Sequence, residues 1–136
     1  MKMKNRKYLP TLSELIDRLS IAQLKEVKIP EHKEEYANEI SDIVHDIQLC
    51  LDEQGGIVTS EVIRAIVVLS QMNAHIWHNE SAVRAGTAGP SNLALTHGIN
   101  GIRNTAKNKI QEIVGGRKDY KIDCLAADFK DWEISW

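Results

Sequence analysis

A run of polar side chains between residues 73 and 84 has the spacing of one helix face and types suited to anion binding. At about 100° per residue, the apolar line of Val62, Ile66 and Leu69 continues through Asn73, Trp77, Glu80 and Arg84. Because this line begins as core, its polar continuation is expected to face protein or a cleft. Arg84 would then present its planar guanidinium to an anionic ligand, held in position by Glu80.

A second donor-rich face is predicted on the helix that follows. Three asparagines within nine residues, Asn100, Asn104 and Asn108, are poor helix formers, so something other than helix propensity selects them. The candidate binding residues on this face are His97, Asn100, Arg103, Asn104 and Lys107. Imidazole, amide, guanidinium and ammonium groups without a carboxylate favour phosphates or nucleobase edges.

Structural explanations compete with binding at both faces. Glu80 and Arg84 are four residues apart and could form an internal ion pair that fixes helix register. Trp77 could stack on a base or fill the core, and the face around Asn100 could be a solvated helix surface. The sequence leaves these alternatives open.

Metal and catalytic motifs receive little support. His45 and Asp46 form an "HD" pair of the kind used by metal-dependent phosphohydrolases, but His32, Asp119 and Asp123 are awkwardly spaced as further ligands. His75 and His78 share a face that is not the Asn73 line, and no HExxH, GxSxG, P-loop or GxGxxG motif occurs. We therefore expect no catalytic residue, no metal and no cofactor, and favour a non-enzymatic protein.

Four helices are predicted to position these faces. The first begins at Thr11, which has capping-box spacing to Glu14, and ends or kinks at Pro30; the second runs from about Glu31 to Glu53 and closes at Gly55 and Gly56. The third runs from about Ser60 to Ala85, and the fourth from about Ser91 to Val114. The apolar positions expected on the first helix are Leu12, Leu15, Ile16, Leu19 and Val27. Those on the second helix are Tyr36, Ile40, Ile43, Val44, Ile47 and Leu51. Those on the fourth helix are Leu95, Ile99, Ile102, Ala106, Ile110 and Ile113. The prediction is an all-α protein, a compact four-helix bundle over residues 11–116.

Both ends of the chain differ from the bundle. Residues 1–10 form a basic leader, and residues 117–136 lose the helical period while concentrating Tyr120, Phe129, Trp132 and Trp136. An aromatic tail of this kind is expected to dock. It could cover its own bundle or pack on another subunit, and the sequence does not decide between these two positions. A homo-oligomer is expected.

Composition and charge narrow the class of partner. The chain has 136 residues, 43% of them hydrophobic and 26% charged, and its net charge of −2 conceals a strong segregation. Residues 11–53 hold eleven carboxylates against four bases, whereas residues 81–111 hold no Asp or Glu. The acidic half disfavours a long nucleic acid, while the carboxylate-free stretch favours a small anion.

Cysteine content and hydropathy indicate the cellular compartment of the protein. The two cysteines, Cys50 and Cys124, have no ligand spacing and are read as reduced, partly buried thiols. No apolar run is long enough for a membrane span, and the leader lacks the apolar segment of a signal peptide, so a cytoplasmic protein without membrane association is expected.

Three segments resemble small helical proteins of tailed bacteriophages: "TLSELIDRLSI", "NAHIWHNESAVR" and "LTHGINGIRNTAKNKI". They are more distantly similar to an uncharacterised bacterial helical domain, from which the chain departs in "WHNESAVR" and the glycine-rich break that follows. The resemblance covers most of residues 11–113 and transfers no activity. What it implies is a phage context, in which small proteins of the host-cell cytoplasm sequester nucleotide immune signals.

The preferred hypothesis is therefore a non-enzymatic, anti-defence binding protein that captures a small phosphorylated ligand such as a nucleotide signal, as a molecular sponge. The first alternative is an interaction module that inhibits or bridges a partner protein through its tail. The second alternative is a metal-dependent phosphohydrolase.

Overall fold

The computed structural model describes residues 9–56, 58–86, 92–114 and Ser135, and for residues 92–96 it describes the backbone only. Four α-helices account for nearly all of these residues: α1 (Leu12–Lys28), α2 (Lys33–Glu53), α3 (Ser60–Arg84) and α4 (Asn92–Val114). A short 3₁₀ turn, Pro30–His32, separates α1 from α2. The predicted all-α, compact four-helix architecture is confirmed. The predicted docking tail lies outside the described residues apart from Ser135, as does most of the basic leader.

Local sequence signals explain the helix ends. Thr11 and Thr59 cap α1 and α3 by accepting hydrogen bonds from the backbone N–H groups of Glu14 (3.3 Å) and Val62 (3.2 Å). Pro30 lies two residues after the end of α1, as predicted. Gly55 closes α2 with a φ of +83°, a left-handed conformation that favours glycine.

The helices form two antiparallel hairpins that share one main core. Helix α3 packs along α4, and α1 packs along α2; α1 also contacts both α3 and α4, so it joins the hairpins. Within the described residues, the backbone of α2 approaches only α1 and the 3₁₀ turn. The main core consists of Leu12, Ile16, Ala65, Val68, Leu69, Met72, Ile99, Ile102, Ala106 and Ile110. A smaller cluster of Leu15, Ala22 and Ile43 lies between α1 and α2.

Three predicted core positions are wrong because they lie at the edges of this packing. Val27 is 67% exposed in the last turn of α1. Val44 is 48% exposed because α2 has a single helical neighbour and buries a narrow face. Ile113 is exposed in the last turn of α4. The side chain of Leu95 lies outside the described part.

A buried hydrogen bond ties the first turn of α1 to the last turns of α4. The Ser13 backbone N–H, which has no partner within its own helix, donates to Gln111 Oε1 at 2.9 Å, and both residues are 3% exposed. The bond supplies a buried donor with its acceptor and fixes α1 antiparallel to α4.

Replacing Gln111 by alanine is expected to lower the free energy of unfolding by about 1–3 kcal/mol, because the buried Ser13 N–H loses its acceptor. Urea unfolding followed by circular dichroism measures this change. Gln71→Ala is the matched control, since Gln71 is exposed on α3 and its removal should cost less than about 0.5 kcal/mol. Equal effects of the two substitutions would contradict the assigned role of Gln111.

No helix in the described ranges is both long enough and apolar enough to cross a membrane.

Candidate functional site

A buried contact between α1 and α3 forms the base of a polar cluster. Asn73 Nδ2 donates to Asp17 Oδ1 at 2.8 Å and to Ser20 Oγ at 3.2 Å. Asn73 is only 4% exposed. The cost of burying this amide is therefore offset by two hydrogen bonds from its NH₂ group, and one carboxylate oxygen of Asp17 is held in place.

Two cations of α4 approach the other carboxylate oxygen. Arg103 Nη1 lies 3.5 Å from Asp17 Oδ2, and Lys107 Nζ lies 3.7 Å from the same atom. Arg103 Nη2 also donates to Asn104 Oδ1 at 3.5 Å. We call the six residues that meet here the Asp17 cluster: Asp17, Ser20, Asn73, Arg103, Asn104 and Lys107. It joins α1, α3 and α4.

The Asp17 cluster carries more positive than negative charge at a partly covered position. Its two cations and one carboxylate sum to +1, while the side chains of Asp17, Arg103 and Lys107 are 12%, 23% and 15% exposed. Both ion-pair distances exceed the roughly 2.7–2.9 Å of a strong charge-assisted hydrogen bond. In addition, Arg103 Nε is buried and has no acceptor among the described residues. The cations therefore retain donor capacity that Asp17 does not use.

The structure brings together four of the nine predicted binding residues, namely Asn73, Arg103, Asn104 and Lys107. Asn100 is half-buried on the same side of α4, one turn before Arg103, and His97 is exposed one further turn along. The alternative of a solvated face is thus wrong for most of this surface, because Asn104 is buried and Asn100, Arg103 and Lys107 are only partly exposed. Between Gly98 and Gln111, no residue of α4 is exposed.

The end of the Asn73 line differs from the prediction. Glu80 and Arg84 are exposed, so the expectation that they face protein or a cleft is wrong. The side chains that accept hydrogen bonds from Asn73 belong to α1, and the line is exposed at Glu80 and Arg84. No ion pair links Glu80 to Arg84 in the described part of the chain. Trp77 is half-buried, and the binding roles assigned to these three residues stay predictions.

Sequence reasoning missed Asp17 and Ser20, which complete the cluster from α1. Asp17 is one of the eleven carboxylates of residues 11–53, and its residue type alone does not distinguish it from the others. A usable signal was present: Ser13, Asp17 and Ser20 recur at intervals of four and three along one edge of the apolar face. A polar line at the edge of a core face is a candidate for pairing with buried polar groups on other helices.

The thiol and histidine chemistry considered from sequence lies elsewhere. Cys50 is a free, half-buried cysteine, and burial, together with Glu53 and Asp46, raises the pKa of its thiol, which disfavours the nucleophilic thiolate at neutral pH. His45 and Asp46 are exposed and pair with each other at 3.2 Å. The described residues bring no three His, Cys, Asp or Glu side chains together as metal ligands; Asp119, Asp123 and Cys124 lie outside them.

Two open grooves are found away from the Asp17 cluster. One lies between the start of α3 and the end of α4, lined by Ser60, Glu61, Arg64, Lys109, Glu112 and Ile113. The other lies between the start of α1 and the end of α2 and includes Leu15, Leu49 and Cys50. Arg103, Lys107 and Asn73 line neither of these two grooves.

Comparison with known proteins identifies no matching family model, no similar curated protein and no similar solved structure.

Proposed function

We propose that the protein binds a small phosphorylated molecule at the Asp17 cluster without converting it. The observation that carries the proposal is the excess of cations over carboxylates, in which Arg103 and Lys107 share the single carboxylate of Asp17 at 3.5 and 3.7 Å. A phosphate group supplies several strong acceptor oxygens and negative charge, which are what this arrangement lacks.

The ligand would bind at the outer edge of the cluster. There, the partly exposed guanidinium of Arg103 lies near the polar side of α4 that carries Asn100 and His97. Amide and imidazole groups at this edge could contact a sugar or a nucleobase, which favours a nucleotide over inorganic phosphate. Asp17 would act as a positioning residue, because it holds both cations while Asn73 holds its carboxylate.

Sequestration of a nucleotide immune signal is the biological role that fits this chemistry. It is supported by the phage resemblance of residues 11–113 and by the carboxylate-free stretch of residues 81–111. A sponge requires tight binding and no turnover, so a site without assembled catalytic groups is sufficient. A cyclic or ADP-ribose-type nucleotide in the host-cell cytoplasm is the ligand class that we propose.

Native mass spectrometry of the full-length chain tests the proposal. The purified protein is measured directly and after incubation with cyclic dinucleotides, ADP-ribose and inorganic phosphate, and any released molecule is identified by its mass. We expect a discrete nucleotide to be bound and released unchanged. A protein that remains empty with every probe would contradict capture and leave the cluster as a structural network.

A further inference from the structure

The groove between the start of α1 and the end of α2, which we call the α1–α2 groove, has an apolar base and exposed apolar edges. Its apolar lining residues are Leu9, Pro10, Leu12, Leu15, Leu49 and Cys50. Leu12 and Leu15 are buried, whereas Leu9 and Leu49 are 59% and 50% exposed. A segment that covers the two exposed leucines would remove apolar surface from water.

The charge of the α1–α2 groove is negative. Among the described residues, the charged side chains that line it are Asp46 and Glu53, and both are exposed carboxylates. Burial raises the pKa of the Cys50 thiol, and the negative charges of Glu53 and Asp46 raise it further. Asp46 pairs with His45 at 3.2 Å, but no described cation lies within ion-pair distance of Glu53. The groove therefore favours a cationic occupant that also carries apolar side chains.

Residues 1–8 are attached to this groove and have the opposite charge. Leu9 and Pro10 line the groove, so the backbone that enters α1 runs along its wall. The eight residues before it contain no carboxylate and four bases: Lys2, Lys4, Arg6 and Lys7. When extended, eight residues reach about 26 Å, whereas Asp46 and Glu53 are about 10 Å apart along α2, so the segment can reach both.

The other end of the chain fits the α1–α2 groove less well. Gln111 lines the groove and α4 ends at Val114, so residues 117–136 also begin near it. These residues carry five carboxylates against four bases, however, and their net charge has the same sign as that of the groove. Charge complementarity therefore selects residues 1–8 as the occupant.

We infer that residues 1–8 fold back into the α1–α2 groove, where Tyr8 packs on the exposed leucines and the basic side chains pair with Asp46 and Glu53. Exposed ion pairs are individually weak, but attachment through Leu9 gives the segment a high effective concentration at the groove. The docked segment then ties the start of α1 to the end of α2. No residue of the Asp17 cluster lines this groove, so the inference is independent of the proposed function.

Cys50 makes the docking measurable as an intramolecular disulfide. In the full chain with Asn5→Cys and Cys124→Ser, which keep all four bases, oxidised glutathione should link position 5 to Cys50 rapidly, because docking brings the two thiols within disulfide reach. Adding Asp46→Asn and Glu53→Gln should slow this reaction by about twofold to thirtyfold, as expected for the loss of two exposed ion pairs. Glu39→Gln with Asp42→Asn is the matched control, since these exposed carboxylates of α2 do not line the groove, and its rate should be unchanged.

The direction of the change separates docking from random collision. Without docking, removing Asp46 and Glu53 would lower the pKa of Cys50 and so speed the reaction or leave its rate unchanged; either result would overturn the inference. Disulfide-linked dimers in place of the intramolecular product would assign the groove to a second copy. In the wild-type chain, a disulfide between Cys50 and Cys124 that forms faster than the link to position 5 would assign it to residues 117–136 instead.

Discussion

Replacing Arg103 by alanine is expected to abolish capture of the phosphorylated ligand while the helical fold remains. Arg103 is the more exposed of the two cations, at 23% against 15% for Lys107, and its Nη1 lies 3.5 Å from Asp17, so its guanidinium keeps donor capacity at the outer edge. Truncating one partner of a largely desolvated charge pair costs several kcal/mol, so affinity should fall by at least about a hundredfold. Calorimetric titration with the nucleotide identified by mass spectrometry measures the loss, and circular dichroism checks the fold.

Two further arginine variants make this result specific. Arg103→Lys keeps the charge but loses the planar fork, so it should bind with intermediate affinity. Arg18→Ala is the matched control, because Arg18 is exposed beside Asp17 in sequence and is not part of the cluster; it should bind like the wild type. If Arg103→Lys folds and binds like Arg18→Ala, the planar fork of the guanidinium is not a ligand contact.

Arg84→Ala tests how far the site extends. The sequence places Arg84 in the same site as Arg103, but the structure leaves it exposed at the end of α3. A loss of affinity in Arg84→Ala would mean that the ligand reaches the last turn of α3. Unchanged affinity would confine the site to the Asp17 cluster and its edge on α4.

Replacing Asp17 by alanine is expected to cause the largest loss of stability among the polar variants. The substitution leaves Arg103 and Lys107 without their shared counter-ion and removes the 2.8 Å acceptor of the buried Asn73 amide. Breaking a buried pair costs about 3–5 kcal/mol; because these side chains are partly exposed, we expect about 2–4 kcal/mol. Urea unfolding measures this difference, and Asp42→Ala, an exposed aspartate on α2, is the matched control.

The same variant separates a binding site from a structural network. With Asp17 removed, the cluster holds two cations and no carboxylate. Because Asp17 positions both cations, an anionic ligand should stabilise Asp17→Ala less by mass action than it stabilises Asp42→Ala, whose cluster is intact, under identical conditions. Equal gains in the two variants would show only a general effect of the anion on folded protein and would count against binding at the cluster.

Helix positions were predictable because their signals are local. Thr11 and Thr59 each cap a helix by accepting a hydrogen bond from the backbone N–H three residues later. Pro30, Gly55 and Gly56 act through the conformation of their own backbone. Such signals do not depend on how helices pack. The predicted order and approximate bounds of the four helices therefore match the structure closely.

The composition of the Asp17 cluster was only partly predictable because it depends on which helices meet. Periodicity assigned Asn73 and Arg103 to polar faces, but it cannot show that α1 would contribute Asp17 between them. It also continued the Asn73 line to Arg84 without showing where neighbouring helices stop covering α3. Periodicity describes the faces of a single helix, whereas a site also depends on the side chains that neighbouring helices contribute.

The attachment of α2 has a consequence for how the molecule opens. Among the described residues its backbone approaches only α1 and the 3₁₀ turn, although Ile47, Cys50 and Leu51 reach the main core from its second half. The first half of α2 can therefore separate from α1 at a free-energy cost well below that of global unfolding, and its amide hydrogens can exchange with solvent while those around Leu69 and Ile110 stay protected. The Asp17 cluster, which is built from α1, α3 and α4, does not depend on this half of α2 and can keep its geometry through such local opening.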